Sequence, residues 1–482
     1  MSGGVRILAL GADEKWQVFS APHPPPDQAA WYVFADAGSI LHPDLAALLR
    51  VHGANRPDIE IFYGDEVIAA DPGEAPEYVC KPAFDLTQLL AQDYIGLPFA
   101  VRGRAVAGMA DLAANANAAQ CYGFLLEAAA NGLGIDRITE VLAFNPGRRR
   151  PVLAADRLPA LRRILPRLNP GCQALQGLSE ASIEIRRQFD SFPDVTLIIP
   201  TRQVRQRDGD SNEPHPPMVL KLLEGLCGTD WPMDRLNVLI GDDVADGAIY
   251  ESRPWPFRLA RLITTRSSFE GFNYAHKANS LWRAAGSEHL VFLNDDLLVR
   301  DPCWMKALMT FAVDESVGGV GARLLYPDDT IQHAGMAAGL MGTCGHAFIG
   351  APASSPTYQN WAVVQREWSM VTGAVFATRR SVLSQVNGFD ERFSLNYNDV
   401  DLCLRLRLLG YRIVYTPHAE FTHFESASRG KAPSPADQTA LFLEKWQDYI
   451  KDDPAYHPHL TRSTHDIHAV PPTRAWWRGI AS

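Results

Sequence analysis

The chain has 482 residues, 46% of them hydrophobic and 21% charged, the balance of a soluble globular protein of two or three domains at ~150 residues each. Lys+Arg 45 against Asp+Glu 55 gives a net charge of -10, which argues against a nucleic-acid binder resting on a basic surface. No apolar run approaches the ~18 residues of a membrane span, and Met1 to Leu10 lacks the basic start and apolar stretch of a secretory signal.

Taken in chain order, His23-Pro-Pro-Pro26 reads as a loop. Trp31-Tyr-Val-Phe-Ala-Asp-Ala-Gly-Ser39 reads as a strand that ends in an acid, with a Pro and a helix after it. Arg148 to Gly171 is rich in Arg and Pro and marks the end of a first domain. Val195 to Pro200 is an apolar strand without polar alternation, as expected when both faces are buried. Arg202 to Pro217 is a polar loop, and Met218 to Leu226 is a helix. Strands follow at Leu236 to Ile240 and Arg261 to Thr265, then a helix over Asn273 to Ala285. A further strand, Leu290 to Leu293, ends at Asn294-Asp295-Asp296, and Asp301-Pro302 opens another helix. Asp399 to Leu409 reads as a helix, Tyr411 to Thr416 as a strand and Ala436 to Ile450 as a helix. This alternation predicts a mainly parallel sheet with covering helices. Ligands of such sheets bind outside the carboxyl ends of the strands. Thr201, Asp242 and Asp296 each stand just past such an end.

The seven cysteines are scattered, with no Cys-x-x-Cys pair, so neither a disulfide framework nor a zinc knuckle is expected. Buried single thiols suit a cytoplasmic protein. Acid-rich strand ends suit a hard cation that holds phosphate oxygens. Alone, an Asp pair after a strand is more often a cap or a solvated turn, and Asn398-Asp-Val-Asp401 is more often an N-cap. Their order among other pieces weighs against that. Val195-Thr-Leu-Ile-Ile-Pro-Thr201, Phe272-Asn-Tyr-Ala275, Phe292-Leu-Asn-Asp-Asp296, Gln332-His-Ala-Gly335, Val371-Thr-Gly-Ala374, Gly388-Phe-Asp-Glu391, Asn398-Asp-Val-Asp401 and His423-Phe-Glu-Ser-Ala-Ser-Arg-Gly430 follow one another. Over about residues 193–450 the chain closely resembles the family-2 inverting glycosyltransferases, in particular the bacterial branch that builds O-antigen and other surface polysaccharides.

The resemblance implies the GT-A fold and a metal-dependent, inverting transfer of a hexosyl or deoxyhexosyl group from a nucleotide-diphospho-sugar to a saccharide hydroxyl. It assigns the metal, Mg²⁺ or Mn²⁺, to Asp296 and His423. It assigns the general base to Asp399, in a motif whose usual Glu is Asn398 here. The donor falls to Pro200, Thr201, Asp242, Asn273, Asn279, Asn294 and Asp295. The Ser that usually follows the second strand is absent from Asp242-Asp-Val-Ala245, which leaves the nucleotide open. The first half, with Trp31 to Ser39, Pro57 to Val67, Lys81-Pro82 and Gln92 to Gly96, resembles a truncated, degenerate copy of the second half of such a domain. Cys121-Tyr-Gly-Phe124 stands where the base would fall.

These readings divide the chain into a degenerate transferase-like domain (1–165), a linker (166–192), a catalytic domain (193–453) and a tail (454–482). They imply a cytoplasmic enzyme with no nucleic-acid partner. Its acceptor would be lipid-linked, met at the inner face of the cell membrane through Trp476-Trp477-Arg478 or Arg148-Arg-Arg150. An inactive carbohydrate-binding scaffold is the competing non-enzymatic reading. A nucleotidyltransferase is disfavoured because Thr201 to Asp210 holds a lone Gly209 where a triphosphate loop needs several.

Overall fold

The computed structural model describes residues 5–10, 16–19, 30–36, 38–69, 75–107, 118–146, 153–205, 215–251, 253–264, 272–424, 435–472 and 475–479. The chain divides into two compact units, one of Met1–Ile185, Pro454–Thr461 and His468–Ser482, the other of Arg186–Asp453 and Arg462–Ile467.

The second unit is built on a ten-stranded mixed sheet. Val195–Thr201 lies between Leu236–Asp242 and His289–Leu293, parallel to both, and Arg258–Ile263 extends the parallel half. Every residue of Val195–Thr201 is buried, which explains why it lacks an exposed polar face. Beyond His289–Leu293 the sheet turns antiparallel through Val375–Arg379, and Val317–Leu325 then pairs parallel with Arg412–His423. One core gathers Val195, Leu197 and Ile199 with Leu222, Leu223 and Leu226 of the helix Met218–Leu226 and with Trp304 and Leu308 of Trp304–Ala312. The α/β class follows the expectation, but the sheet is mixed rather than mainly parallel, because the strands after His289–Leu293 return antiparallel. The elements lie within a few residues of those expected, except that the strand expected at Tyr411 to Thr416 runs on to His423. Helix Trp304–Ala312 begins later than Asp301-Pro302 because the Asp301 carboxylate first accepts the Cys303 N–H and makes a turn.

The first unit has an eight-stranded sheet. Four of its strands repeat a pattern of the second unit. Trp31–Asp36 pairs antiparallel with Phe99–Arg102, which pairs antiparallel with Ile59–Ile68, which pairs parallel with Gly134–Asn145. His289–Leu293, Val375–Arg379, Val317–Leu325 and Arg412–His423 pair in the same senses and the same chain order. Where the second unit places parallel strands beside this block, the first places Val5–Leu10, antiparallel to both of its neighbours.

Three expectations are corrected. Residues 166–192 are no linker: helix Ala154–Leu168 runs past 165, and Cys172–Gln176 pairs with Ile183–Arg187. Ala174, Ile183 and Ile185 are buried in the first unit's core, and that burial carries the unit to Ile185. Residues 454–482 are not a separate tail, since Pro454–Thr461 and His468–Ser482 belong to the first unit and Arg462–Ile467 to the second. Nor do the tail's tryptophans face outward as a pair. Trp477 is buried, and Trp476 donates its indole N–H to the Val141 carbonyl at 3.0 Å. Arg148-Arg-Arg150 lies outside the described residues. Among the described residues no helix is long and apolar enough to cross a membrane.

Candidate active site

A cavity of about 560 Å³ opens at the carboxyl ends of the second unit's parallel strands. Its walls hold Pro200, Thr201, Asn294, Asp295, Asp296, Asp399 and His423. Sheet register brings the first of these together: Ile198 stands opposite Phe292, so Thr201 and Asp295 leave neighbouring strands side by side. The Thr201 hydroxyl donates to Asp295 Oδ2 at 2.6 Å. Burial still raises the Asp295 carboxyl to about 6, because the hydroxyl and Lys277 offset the lost solvation only in part.

His423 arrives from a distant part of the chain. Leu297–Val299 pairs antiparallel with the end of Arg412–His423, and Leu297 stands opposite His423. This register sets His423 Nε2 3.0 Å from Asp296 Oδ1. Asn294 Nδ2 lies 3.4 Å from the same nitrogen, and His423 Nδ1 lies 2.6 Å from Gln332 Oε1.

Asp399 is in the first turn of helix Asn398–Leu408, entered through Tyr397 at a left-handed φ of 64°. Its Oδ2 accepts the Gly373 N–H at 2.7 Å and its Oδ1 the Val400 N–H at 2.9 Å. A Cβ at position 373 would lie 3.0 Å from the Asp399 Cβ, so the glycine of Val371-Thr-Gly-Ala374 allows this approach. The carboxylate is thus held by two N–H groups in the first turn of the helix.

Asp242, Asn273 and Asn279, expected at the donor, are outside the cavity lining. The fully buried Asp242 accepts from Tyr250 Oη at 2.8 Å, Gln203 Nε2 at 2.9 Å and the Val244 N–H at 2.9 Å. It organises the turn after its strand. Asn273 caps helix Tyr274–Ala284 through the His276 N–H and donates to the Glu391 carbonyl. Asn279 donates to the Phe389 carbonyl and to Glu391 Oε1, and accepts from the Phe389 N–H and Trp282 Nε1, each at 2.9 Å. Each asparagine gives its amide N–H groups to the Gly388-Phe-Asp-Glu391 segment. Asn273 does so from the N-cap position, and Asn279 stands about 200° round the helix from Lys277, which points to the strand ends.

Lys277 and Asp243 line the cavity and were not foreseen. Lys277 Nζ donates to the Thr201 carbonyl and to Asp243 Oδ1, both at 2.7 Å. Burial lowers its ammonium from the ordinary lysine value, against the pull of Asp243. The one signal in the sequence is a lysine between Ala275, Ala278 and Leu281 on a buried helical face. His346 also lines the cavity, with Nδ1 2.9 Å from His333 Nδ1. Residues 425–430 of the expected His423 motif lie outside the described residues.

Among the described residues, Asp65, Cys80 and His457 of the first unit bring ligand atoms within 4.8 Å of one another. The hydrogens speak against a metal there. His457 Nδ1 accepts the His459 N–H at 3.0 Å, so the ring hydrogen is on Nε2, which faces Asp65 Oδ2 at 3.0 Å. Cys80 Sγ–H donates to the His459 carbonyl. The group is a hydrogen-bonded core.

Residues 243–438 match the family described as "Glycosyltransferase like family 2". The chain is 29% identical over 451 residues to "O-antigen biosynthesis protein RfbC" of Myxococcus xanthus, covering 90% of this chain and 34% of that protein. It is 40% identical over 70 residues to an "N-acetylglucosaminyl-diphospho-decaprenol L-rhamnosyltransferase" of Mycobacterium tuberculosis, 14% of this chain and 23% of that one. The chain spans half or less of the length of the curated relatives that it matches from end to end. A solved mannosyltransferase of Pyrobaculum calidifontis, in complex with GDP-Man and Mn²⁺, has a TM-score of 0.35 and 17% identity over 55% of this chain and 72% of its own. Residues 243–438, which hold Asp295, Asp296, Asp399 and His423 of the cavity, thus carry a glycosyltransferase family 2 domain.

Proposed function

We propose that the second unit transfers a sugar from a nucleotide-diphospho-sugar to a saccharide hydroxyl, with inversion and with a divalent cation. The observation that carries this reading is the meeting, in one cavity, of Asp296 and His423 with the carboxylate of Asp399. Nucleotide binding outside parallel strand ends is what this architecture favours, and Pro200, Thr201 and Lys277 line that side.

Asp296 and His423 would hold the cation: a carboxylate oxygen and an imidazole nitrogen 3.0 Å apart form a donor set that suits Mn²⁺ and accepts Mg²⁺. When bound, the cation supplies positive charge against the leaving diphosphate. Asp399 takes the proton of the acceptor hydroxyl as its oxygen forms the new bond to the anomeric carbon and the carbon–diphosphate bond breaks. The Gly373 and Val400 N–H groups keep that carboxylate in one orientation, which contributes through positioning.

The relatives' names point the donor towards a deoxyhexose such as rhamnose and the acceptor towards a diphospholipid-linked saccharide of surface-polysaccharide synthesis. The test is a panel of dTDP-, UDP- and GDP-sugars with a diphosphoprenol-linked acceptor, with Mn²⁺ or with a chelator, and NMR of the product's anomeric proton. An inverted product formed only with metal supports the reading. Retained configuration would overturn the single displacement and with it the role of Asp399.

A further inference from the structure

We propose that Gln332 is a positioning residue that sets the tautomer of His423 and so makes its Nε2 a metal ligand. The inference rests on the metal reading of the proposed function and goes beyond it by assigning a residue that acts through His423.

A carbonyl oxygen can only accept, so the 2.6 Å contact between His423 Nδ1 and Gln332 Oε1 requires the ring hydrogen on Nδ1. The other nitrogen agrees, because Asn294 Nδ2 has only hydrogens to offer and lies 3.4 Å from His423 Nε2. Nε2 therefore presents a lone pair, and it presents it 3.0 Å from Asp296 Oδ1. Two electron-pair donors of N and O type meet there, and a divalent cation satisfies both. A second partner on the distal nitrogen that fixes the ring is what a ligating imidazole needs. His457 is the opposite case within the same chain. Its Nδ1 accepts a backbone N–H, so its hydrogen faces the carboxylate.

The backbone aims Gln332. Leu324 stands opposite His333 and Leu325 opposite Ile331, so Gln332 is the extra residue of a bulge against Val317–Leu325. Such a bulge redirects a side chain. Gln332 is buried and lines the cavity beside His423. With the opposite tautomer the Nε2 hydrogen would bond to Asp296 and compete with the cation for both ligands.

The test uses the full chain with Gln332→Met, which keeps volume and removes the acceptor, and Gln332→Glu, which keeps an oxygen acceptor. Mn²⁺ binding is read by electron paramagnetic resonance, with Mn²⁺ alone and with added dTDP. The His423 tautomer is read by long-range ¹⁵N NMR of histidine-labelled, metal-free protein. We expect the Nδ1–H form in the parent, a shift towards Nε2–H in Q332M with Mn²⁺ affinity down about tenfold or more, and affinity within about threefold of the parent in Q332E. Folded Q332M with the parent's affinity, or an Nε2–H ring in the parent, overturns the assignment. A parent that binds no Mn²⁺ overturns the metal reading and the inference together. A parent that binds it while Q332M binds equally overturns the inference alone. Where Q332M does not fold, the parent's tautomer and the affinity of Q332E decide.

Discussion

Asp399 and Asp401 stand two positions apart in one motif and have different surroundings. Two residues along a helix turn a side chain by ~200°. Asp399 thus lines the cavity while Asp401 is fully buried, paired with Arg405 at 2.7 Å and Lys445 at 2.6 Å. Asp399→Asn keeps the shape and removes the base. We expect turnover to fall on the order of 10²–10⁴-fold with nucleotide binding nearly unchanged, read by steady-state kinetics and calorimetry. Turnover within threefold of the parent would take the role from Asp399. Asp296→Ala removes one oxygen ligand. Calorimetry should then give the same nucleoside-diphosphate affinity with Mn²⁺ as without it, whereas the parent should bind more tightly with the metal.

At the scale of elements, helix Tyr274–Ala284 joins two parts of the fold. Lys277 reaches the parallel strand ends, and Asn279 holds the segment around Phe389. Gly388 sits there at a φ of +73°, where a Cβ would come within 2.2 Å of Asn279 Oδ1, so the backbone passes close against the amide. Asn279→Ala leaves the Phe389 N–H and carbonyl without their partner. Two such buried groups cost about 2–4 kcal/mol, measurable as a shift in the urea midpoint. The donor KM of the folded variant should stay within threefold. A rise of tenfold or more would return Asn279 to the donor site.

At the scale of the whole molecule, the first unit repeats the strand pairing of Trp31–Asp36 to Gly134–Asn145 without the parallel strands beside it. Asp36 is its only acid at the strand end where the second unit has Asp295 and Asp296. We propose that this unit is catalytically silent, so Asp36→Ala should leave turnover unchanged per folded protein, and a tenfold loss would reveal a second working site. The segment Pro454–Thr461 contributes His457 to this unit's interior. Burial lowers the imidazole from its ordinary 6.5, opposed by Asp65 and helped by Arg137 and His459. The unfolded chain then binds a proton that the folded chain refuses. The stability that this adds is full above pH 6.5 and is lost as the pH falls through the folded value. Urea unfolding at pH 7.5 and 5.5 should show a drop in midpoint that His457→Gln reduces.

Local chemistry determined much by itself. The buried run Val195–Thr201, the acids after His289–Leu293 and the helix at Asn398–Leu408 are set by apolar continuity, strand-end polarity and a first-turn acid, all of which are short-range. The order of the motifs was enough to indicate the family. Which polar side chain enters the cavity was decided only by tertiary packing. Asp242 and Asp243 are neighbours in sequence, yet the first is buried under Tyr250 and Gln203 and the second faces the cavity. The tail showed the same limit. Nothing local in Pro454–Thr461 reveals that Asp65 lies opposite His457, because that contact joins residues far apart in the chain through burial and hydrogen bonding. Gln332 was visible as part of a motif but not as a partner. Its relation to His423 exists only once the strands Ile331–His333 and Arg412–His423 are laid on either side of Val317–Leu325. Strand pairing between distant segments, which periodicity does not encode, decided that geometry.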